Sequence, residues 1–180
     1  MIDEILKKIE KSGEKYWICG PDTGEFLLKK IREIGAKRVL EIGTSVGYSA
    51  LWMSKSGAEI FTVESHKERG DLAEENFKDF SNIRLVRGHA PEVLSEIPGE
   101  FDFVFFDATK YEHLAYFEAV YPRMRKGAVL VVDNISTHGE GKMMRKFLDM
   151  AKDHPGCKSE FKEIGNGLLV IEILGLNKEN

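Results

Sequence analysis

The densest chemistry in the chain lies in Arg38-Val-Leu-Glu-Ile-Gly-Thr-Ser-Val-Gly-Tyr-Ser-Ala50. An apolar run enters a glycine turn, and a helical pattern follows. Such a turn offers the unpaired N–H groups of a new helix to an anion such as a carboxylate. Glycine there lets a ligand approach the backbone closely. The spacing Gly43-x-x-x-Gly47 differs from the tighter G-x-G-x-x-G of dinucleotide sites. Glu41, just before the turn, would repel a pyrophosphate and attract an ammonium or a sulfonium. Glu64 ends the next apolar run, where an acid can accept hydrogen bonds from both ribose hydroxyls. The loop Gly88-His89-Ala90 would then line the base. Singly, Glu41 reads as well as a buried, paired acid, and Glu64 as a solvated strand end. Together, each in its strand context, they point to S-adenosylmethionine (SAM) and away from a nicotinamide dinucleotide.

The elements that must position these residues alternate in period. Val39-Leu40, Ile60–Val63, Ile83–Val86, Phe103–Phe106 and Ala128–Val132 are short β-branched or aromatic runs of the kind buried in parallel sheets. Between them, Phe26, Leu27, Ile31 and Ile34 mark one helical segment. Leu72, Phe77 and Phe80 mark a second; Met143, Phe147 and Met150 mark a third. This alternation predicts an α/β fold with a mostly parallel, Rossmann-like sheet and helices on both faces. The end of the chain differs. Strand-like runs 159–164 and 168–174 flank Gly165-Asn166-Gly167, a turn signal for an antiparallel hairpin.

The 180 residues suit one domain spanning 1–180, with an N-terminal amphipathic helix over 1–14 and a frayed tail over 175–180. A net charge of −4 disfavours broad contact with a phosphate backbone. No apolar run approaches a membrane span, and the N-terminus lacks the apolar stretch of a signal peptide. The two cysteines, Cys19 and Cys157, have no metal-type spacing and read as free thiols in a reducing cytoplasm. Trp17 and Trp52 read as packing residues.

Four segments resemble the metal-dependent O-methyltransferases typified by the catechol and caffeoyl-CoA enzymes. They are Asp22–Leu28, Val39–Ala50, Phe101–Tyr111 and Val131–Asn134, and the closing Ile164-Gly-Asn-Gly-Leu168 is similar to that family's C-terminal hairpin. The resemblance covers about residues 15–174. It implies a seven-stranded sheet whose last strand is inserted antiparallel. It also implies roles: Glu41, Gly43, Thr44, Gly47 and Ser49 around the methionine end, Glu64 on the ribose, and Ala90 beside the adenine. Asp107, Asp133 and Asn134 match ligands of a divalent cation, usually Mg²⁺, with Asp107 also facing the cofactor. Lys110 matches the base that takes the proton of the acceptor hydroxyl.

The residue types agree with those roles. Asp107 and Asp133-Asn134 end two strand-like runs, and two carboxylates with an amide oxygen form the hard, all-oxygen set that Mg²⁺ prefers. A cation there would hold a catechol-like pair of oxygens. Lys110 lies at the start of the helix expected after Asp107. Singly, such residues also serve as a helix N-cap, an Asx-turn or a solvated lysine.

Two positions depart from the family pattern: His89 and Thr109 both stand where an acid is common. The implied function is methyl transfer from SAM to a hydroxyl of a small catechol-like aromatic. The alternatives are methylation of a hydroxylated tRNA base, which would show as a basic mouth, and a non-catalytic SAM-binding module. A homodimer, built on the N-terminal helix, is the further partner implied.

Overall fold

The computed structural model describes residues 1–12, 16–138 and 141–175. In chain order the elements are α1 (Ile2–Glu10), α2 (Pro21–Glu33), β1 (Arg38–Ile42), α3 (Tyr48–Ser54), β2 (Glu59–Glu64), α4 (Lys67–Phe77) and β3 (Ile83–Arg87). Then come α5 (Ala90–Val93), β4 (Phe101–Phe106), α6 (His113–Val120), β5 (Met124–Val132), α7 (Ile135–His138), α8 (Lys142–Asp153), β6 (Cys157–Lys162) and β7 (Leu168–Ile173). Among the described residues no helix is long and apolar enough to cross a membrane.

The strands form one seven-stranded sheet in the order β3-β2-β1-β4-β5-β7-β6. Strands β1 to β5 pair in parallel, whereas β7 runs antiparallel to both β5 and β6. The inserted antiparallel strand is therefore present as expected. The order reverses between β1 and β4, and in open sheets a ligand crevice forms at that point, beyond the C-terminal strand ends.

The apolar runs are continuous because the central strands are buried on both faces. Successive side chains alternate between two cores. Phe103 and Phe105 of β4, with Val129 and Val131 of β5, enter the core beneath α2 and α3. Val104, Phe106, Leu130 and Val132 enter the opposite core, which α6 and α8 cover with Phe117 and Phe147. Helix α1 docks through Leu6 and Ile9 on the first of these cores, and its end is tied down by Tyr48 Oη donating to Glu10 at 2.7 Å.

Some local expectations shift. Leu72 is 42% exposed and Met143 37% exposed; α4 buries Gly70, Ala73 and Phe77, and α8 buries Met144, Phe147 and Ala151. The buried faces follow the i, i+3, i+7 spacing; Phe77 and Phe147 are buried as expected, whereas Leu72 and Met143 fall beside those faces. Strand β6 begins at Cys157 and ends at Lys162, earlier than the pattern suggested. The N-terminal helix ends at Glu10; residues 13–14 of that expectation, and 176–180 of the expected tail, lie outside the described residues.

Candidate active site

The C-terminal strand ends open onto one cavity of about 500 Å³, within the usual range for a small-ligand or cofactor site. It is bounded by the β1–α3 turn, the ends of β2 and β3, the loop after β4, Asn134 after β5, and residues 16–19 before α2. Trp17, Ser45 and Asn134, non-glycine residues with left-handed backbone (φ 47°, 50° and 65°), all line it. Such conformations cost on the order of 1 kcal/mol each and gather at functional sites.

The β1–α3 turn is built by close approach. Gly43 has φ 106°, and a Cβ there would lie 2.4 Å from the Asp107 carbonyl oxygen. Glycine thus lets the ends of β1 and β4 close together, with Asp107 N–H donating to Ile42 O at 2.9 Å. Gly47, with φ 91°, starts α3 and faces the ring of Phe77, which any side chain would strike. Its place is the packing of α4 beneath the turn, and it does not line the cavity.

Glu64 is buried at the end of β2, and its conformation is fixed from two sides. Ser45 N–H donates to Oε2 at 2.7 Å and His66 N–H to Oε1 at 2.7 Å. Arg69 approaches Oε1 at 3.4 Å. The strained Ser45 also ties the wall to the turn, since its hydroxyl donates to Tyr16 O at 3.0 Å. A carboxylate so held keeps lone pairs for ribose hydroxyls. Thr44, Ser49 and Ala90 line the same side of the cavity, with Gly88 and His89 beyond Glu64.

Glu41 is placed differently from the expectation. It is fully buried and does not line the cavity. Its Oε2 accepts from Thr62 Oγ1, which bonds in turn to Thr44 Oγ1. Burial pushes its pKa up to about 7, against the pull of Ser49 and Thr62, while Asp107 and Glu64 add to the rise. The acid therefore braces the turn from below. Thr62, Thr44 and Ser49 link it to the cavity wall.

The ends of β4 and β5 supply the second half. Asn134 Nδ2 donates to Asp107 Oδ1 at 2.9 Å, and Lys110 Nζ lies 3.2 Å from the same oxygen. Asp133 is buried, its Oδ1 accepts from Asn134 N–H at 2.7 Å, and its Oδ2 has no hydrogen-bond partner among the described residues. Both carboxyls are pushed up. For Asp107 burial is the main cause, opposed by Lys110; for Asp133 burial is joined by the neighbouring Asp107. Lys110 lies in the turn before α6, not in the helix, which begins at His113.

The β6–β7 turn reaches this half. Ile135 N–H donates to Gly167 O and Ser136 N–H to Asn166 O, both at 3.0 Å. Among the described residues no three His, Cys, Asp or Glu side chains gather as a metal cluster. Two carboxylates and an amide do gather, one carboxylate oxygen lacking any partner, and a hard divalent cation fits that donor set.

A model of the O-methyltransferase family matches residues 1–154. The chain belongs to this family. A catechol O-methyltransferase of Mycobacterium tuberculosis is 32% identical over 149 residues, 74% of this chain and 68% of the relative. A catechol O-methyltransferase of Niastella koreensis is 30% identical over 130 residues, 67% of this chain and 59% of the relative. The chain thus spans roughly three fifths to two thirds of these relatives. Among solved structures, cofactor-bound Rv0187 from MTB superposes with a TM-score of 0.86 at 26% identity, covering 97% of this chain and 90% of that one. An O-methyltransferase of Bacillus cereus, solved with SAH, shares the fold with a TM-score of 0.85 at 24% identity over 96% and 90% of the two chains.

Within this O-methyltransferase the cavity brings together Gly43, Thr44, Ser49, Glu64, Ala90, Asp107, Lys110 and Asn134. Sequence reasoning missed the wall over 16–19. Trp17, read as a packing residue, is 78% exposed and borders the cavity, whereas Trp52 packs against Gly24 of α2 as expected. Nothing in composition marks Trp17, whose left-handed backbone and exposure show only in the fold. Ser45 was missed for a similar reason: its role comes from its backbone N–H.

Proposed function

We propose that the chain is a SAM-dependent O-methyltransferase that acts, with divalent-cation assistance, on a hydroxyl of a small catechol-like aromatic. The observation that carries this reading is one cavity bordered both by a nucleoside-holding end, the β1–α3 turn with Glu64, and by Lys110, Asp107 and Asn134, with the buried Asp133 accepting from Asn134 N–H. The names of the catechol O-methyltransferase relatives support the acceptor class. The exposed indole of Trp17 at the cavity edge suits a flat apolar ring.

Glu64 orients the ribose, and the turn with Ser49 receives the methionine end. These contacts hold the sulfonium methyl in place, and positioning of two reactants supplies much of the rate in such transfers. Asp107, Asp133 and Asn134 would hold a divalent cation, Mg²⁺ by donor type, whose charge favours the ionised form of the acceptor hydroxyl. Lys110 Nζ takes the hydroxyl proton and passes it to solvent. The C–S bond breaks as the C–O bond forms, and the sulfur keeps the electron pair, leaving SAH and the methyl ether.

The test is product formation from SAM and catechol, followed by mass spectrometry with Mg²⁺ and with a chelator. Methylated catechol with Mg²⁺ alone supports the reading. Product undiminished by the chelator overturns the role of the cation, and no product with catechol or substituted catechols overturns the acceptor class.

A further inference from the structure

His113, the first residue of α6, is a buried titratable group that the proposed chemistry does not use. Its ring stands edge-on to Phe106 and Phe147, with centroids 5.8 and 5.5 Å away. Burial brings its pKa down to about 4, and the Lys110 charge adds to the fall, so the ring is neutral near pH 7. Nδ1 lies 3.2 Å from the Thr109 carbonyl oxygen. A carbonyl only accepts, so Nδ1 carries the hydrogen and Nε2 keeps a lone pair. Nε2 is buried and has no hydrogen-bond partner among the described residues. A buried acceptor without a donor costs stability, and a phenylalanine would fill the same apolar space without that cost. What the imidazole gains is the single bond at Nδ1, and that bond falls on the turn that carries Lys110.

Both ends of this turn meet the ring. Phe106, against which the imidazole packs, is the last residue of β4 and precedes Asp107. Thr109 O accepts from His113 Nδ1 and also from Glu112 N–H, each at 3.2 Å. Thr109 and Lys110 line the cavity between these anchors, and Lys110 Nζ lies 3.2 Å from Asp107 Oδ1. A lysine head rides on a flexible stem, so its reach is set by where its backbone is held. A base must come within hydrogen-bond distance of the proton it takes.

We propose that His113 is a positioning residue for methyl transfer: its neutral Nδ1–H holds the Thr109 carbonyl and so sets Lys110 Nζ within reach of the acceptor hydroxyl. The proposal rests on the reading of Lys110 as the base.

The experiment sets packing against hydrogen bonding in the full chain, with turnover measured on SAM, Mg²⁺ and catechol. His113→Phe keeps a ring and loses the donor, whereas His113→Asn keeps a donor at the place of Nδ1 and loses most of the ring. The Phe variant should melt at or above the wild-type temperature, yet its kcat should fall about 10- to 100-fold, as for a misplacement near 1 Å. Its KM for catechol and its SAH affinity should stay within about twofold, because the base acts only in the transition state. The Asn variant should melt lower and keep kcat within about threefold of wild type. Nitrogen NMR of wild type reads the tautomer independently of any variant's folding: His113 should show a protonated Nδ1 and an unprotonated Nε2. The opposite tautomer, a doubly protonated ring, a parental kcat in His113→Phe, or losses in kcat that follow melting temperature or are equal in the two variants would overturn this proposal alone. Parental turnover in Lys110→Ala would overturn the reading of Lys110 and this proposal with it.

Discussion

The two halves of the cavity are built on opposite principles. On the side of β1, β2 and β3, the carboxylate that faces the cavity is matched by donors, although Glu41 beneath it is pushed up to about 7 and leaves Oε1 without a partner among the described residues. Glu64 is clasped by the N–H groups of Ser45 and His66, and Glu41 is linked through Thr62 to Thr44. On the side of β4 and β5, the carboxyls of Asp107 and of the buried Asp133 are both pushed up, Asp133 Oδ2 has no partner among the described residues, and Asn134 is held at φ 65°. A satisfied network is rigid before the ligand arrives, whereas an under-neutralised one costs free energy that a cation relieves. The donor half is thus prepared by the fold alone, and the acceptor half is prepared for a charge that the fold does not supply.

The sharpest break in that comparison is Lys110→Ala. It should lower kcat by about 10²- to 10⁴-fold, the usual contribution of a positioned base, and leave SAH affinity within about twofold by calorimetry. A variant with parental turnover would remove Lys110 from the chemistry. Asp133→Ala should also abolish turnover, and it should erase the rise in melting temperature that Mg²⁺ gives wild type, since only a ligand of the folded state stabilises it.

Glu64→Ala acts on the other half. It should weaken SAH binding by about 10- to 100-fold, as expected for lost hydrogen bonds to a charged group, with kcat at saturating SAM kept near the parental value. Equal losses in kcat and affinity would contradict the division of labour.

The smallest effect concerns Glu41. Its pKa is raised from 4.5 to about 7 by burial, so the folded chain holds that proton more tightly than the unfolded chain. Stability from this group is full below about pH 4.5 and is lost as pH rises through about 7. Glu41→Gln should flatten this fall, by at most about 1.4 kcal/mol per pH unit, as read from denaturant midpoints between pH 5 and 8. A slope unchanged in the variant would assign the titration elsewhere.

The same division governs what the sequence made legible. The donor half is local: strand, glycine turn and helix lie within residues 38–50, and Gly43 and Glu64 could be read from type and spacing. The sheet was legible too, because runs such as Phe103–Phe106 serve both cores at once. Glu41 was found as a type, but the sequence did not show that it is buried beneath the turn and bonded to Thr62. The acceptor half joins residues far apart in sequence: Asp107, Lys110, Asp133 and Asn134 were legible as a set only through family resemblance, and Trp17 was not legible at all.

The most direct test is calorimetric titration of SAM into the metal-stripped protein, followed by addition of Mg²⁺ and catechol. A donor half complete in itself should bind one SAM per chain without any cation, and methylated product should appear only once Mg²⁺ is added. A folded protein that gives no binding heat until the cation is present would contradict the account, because the donor half would then not be preformed.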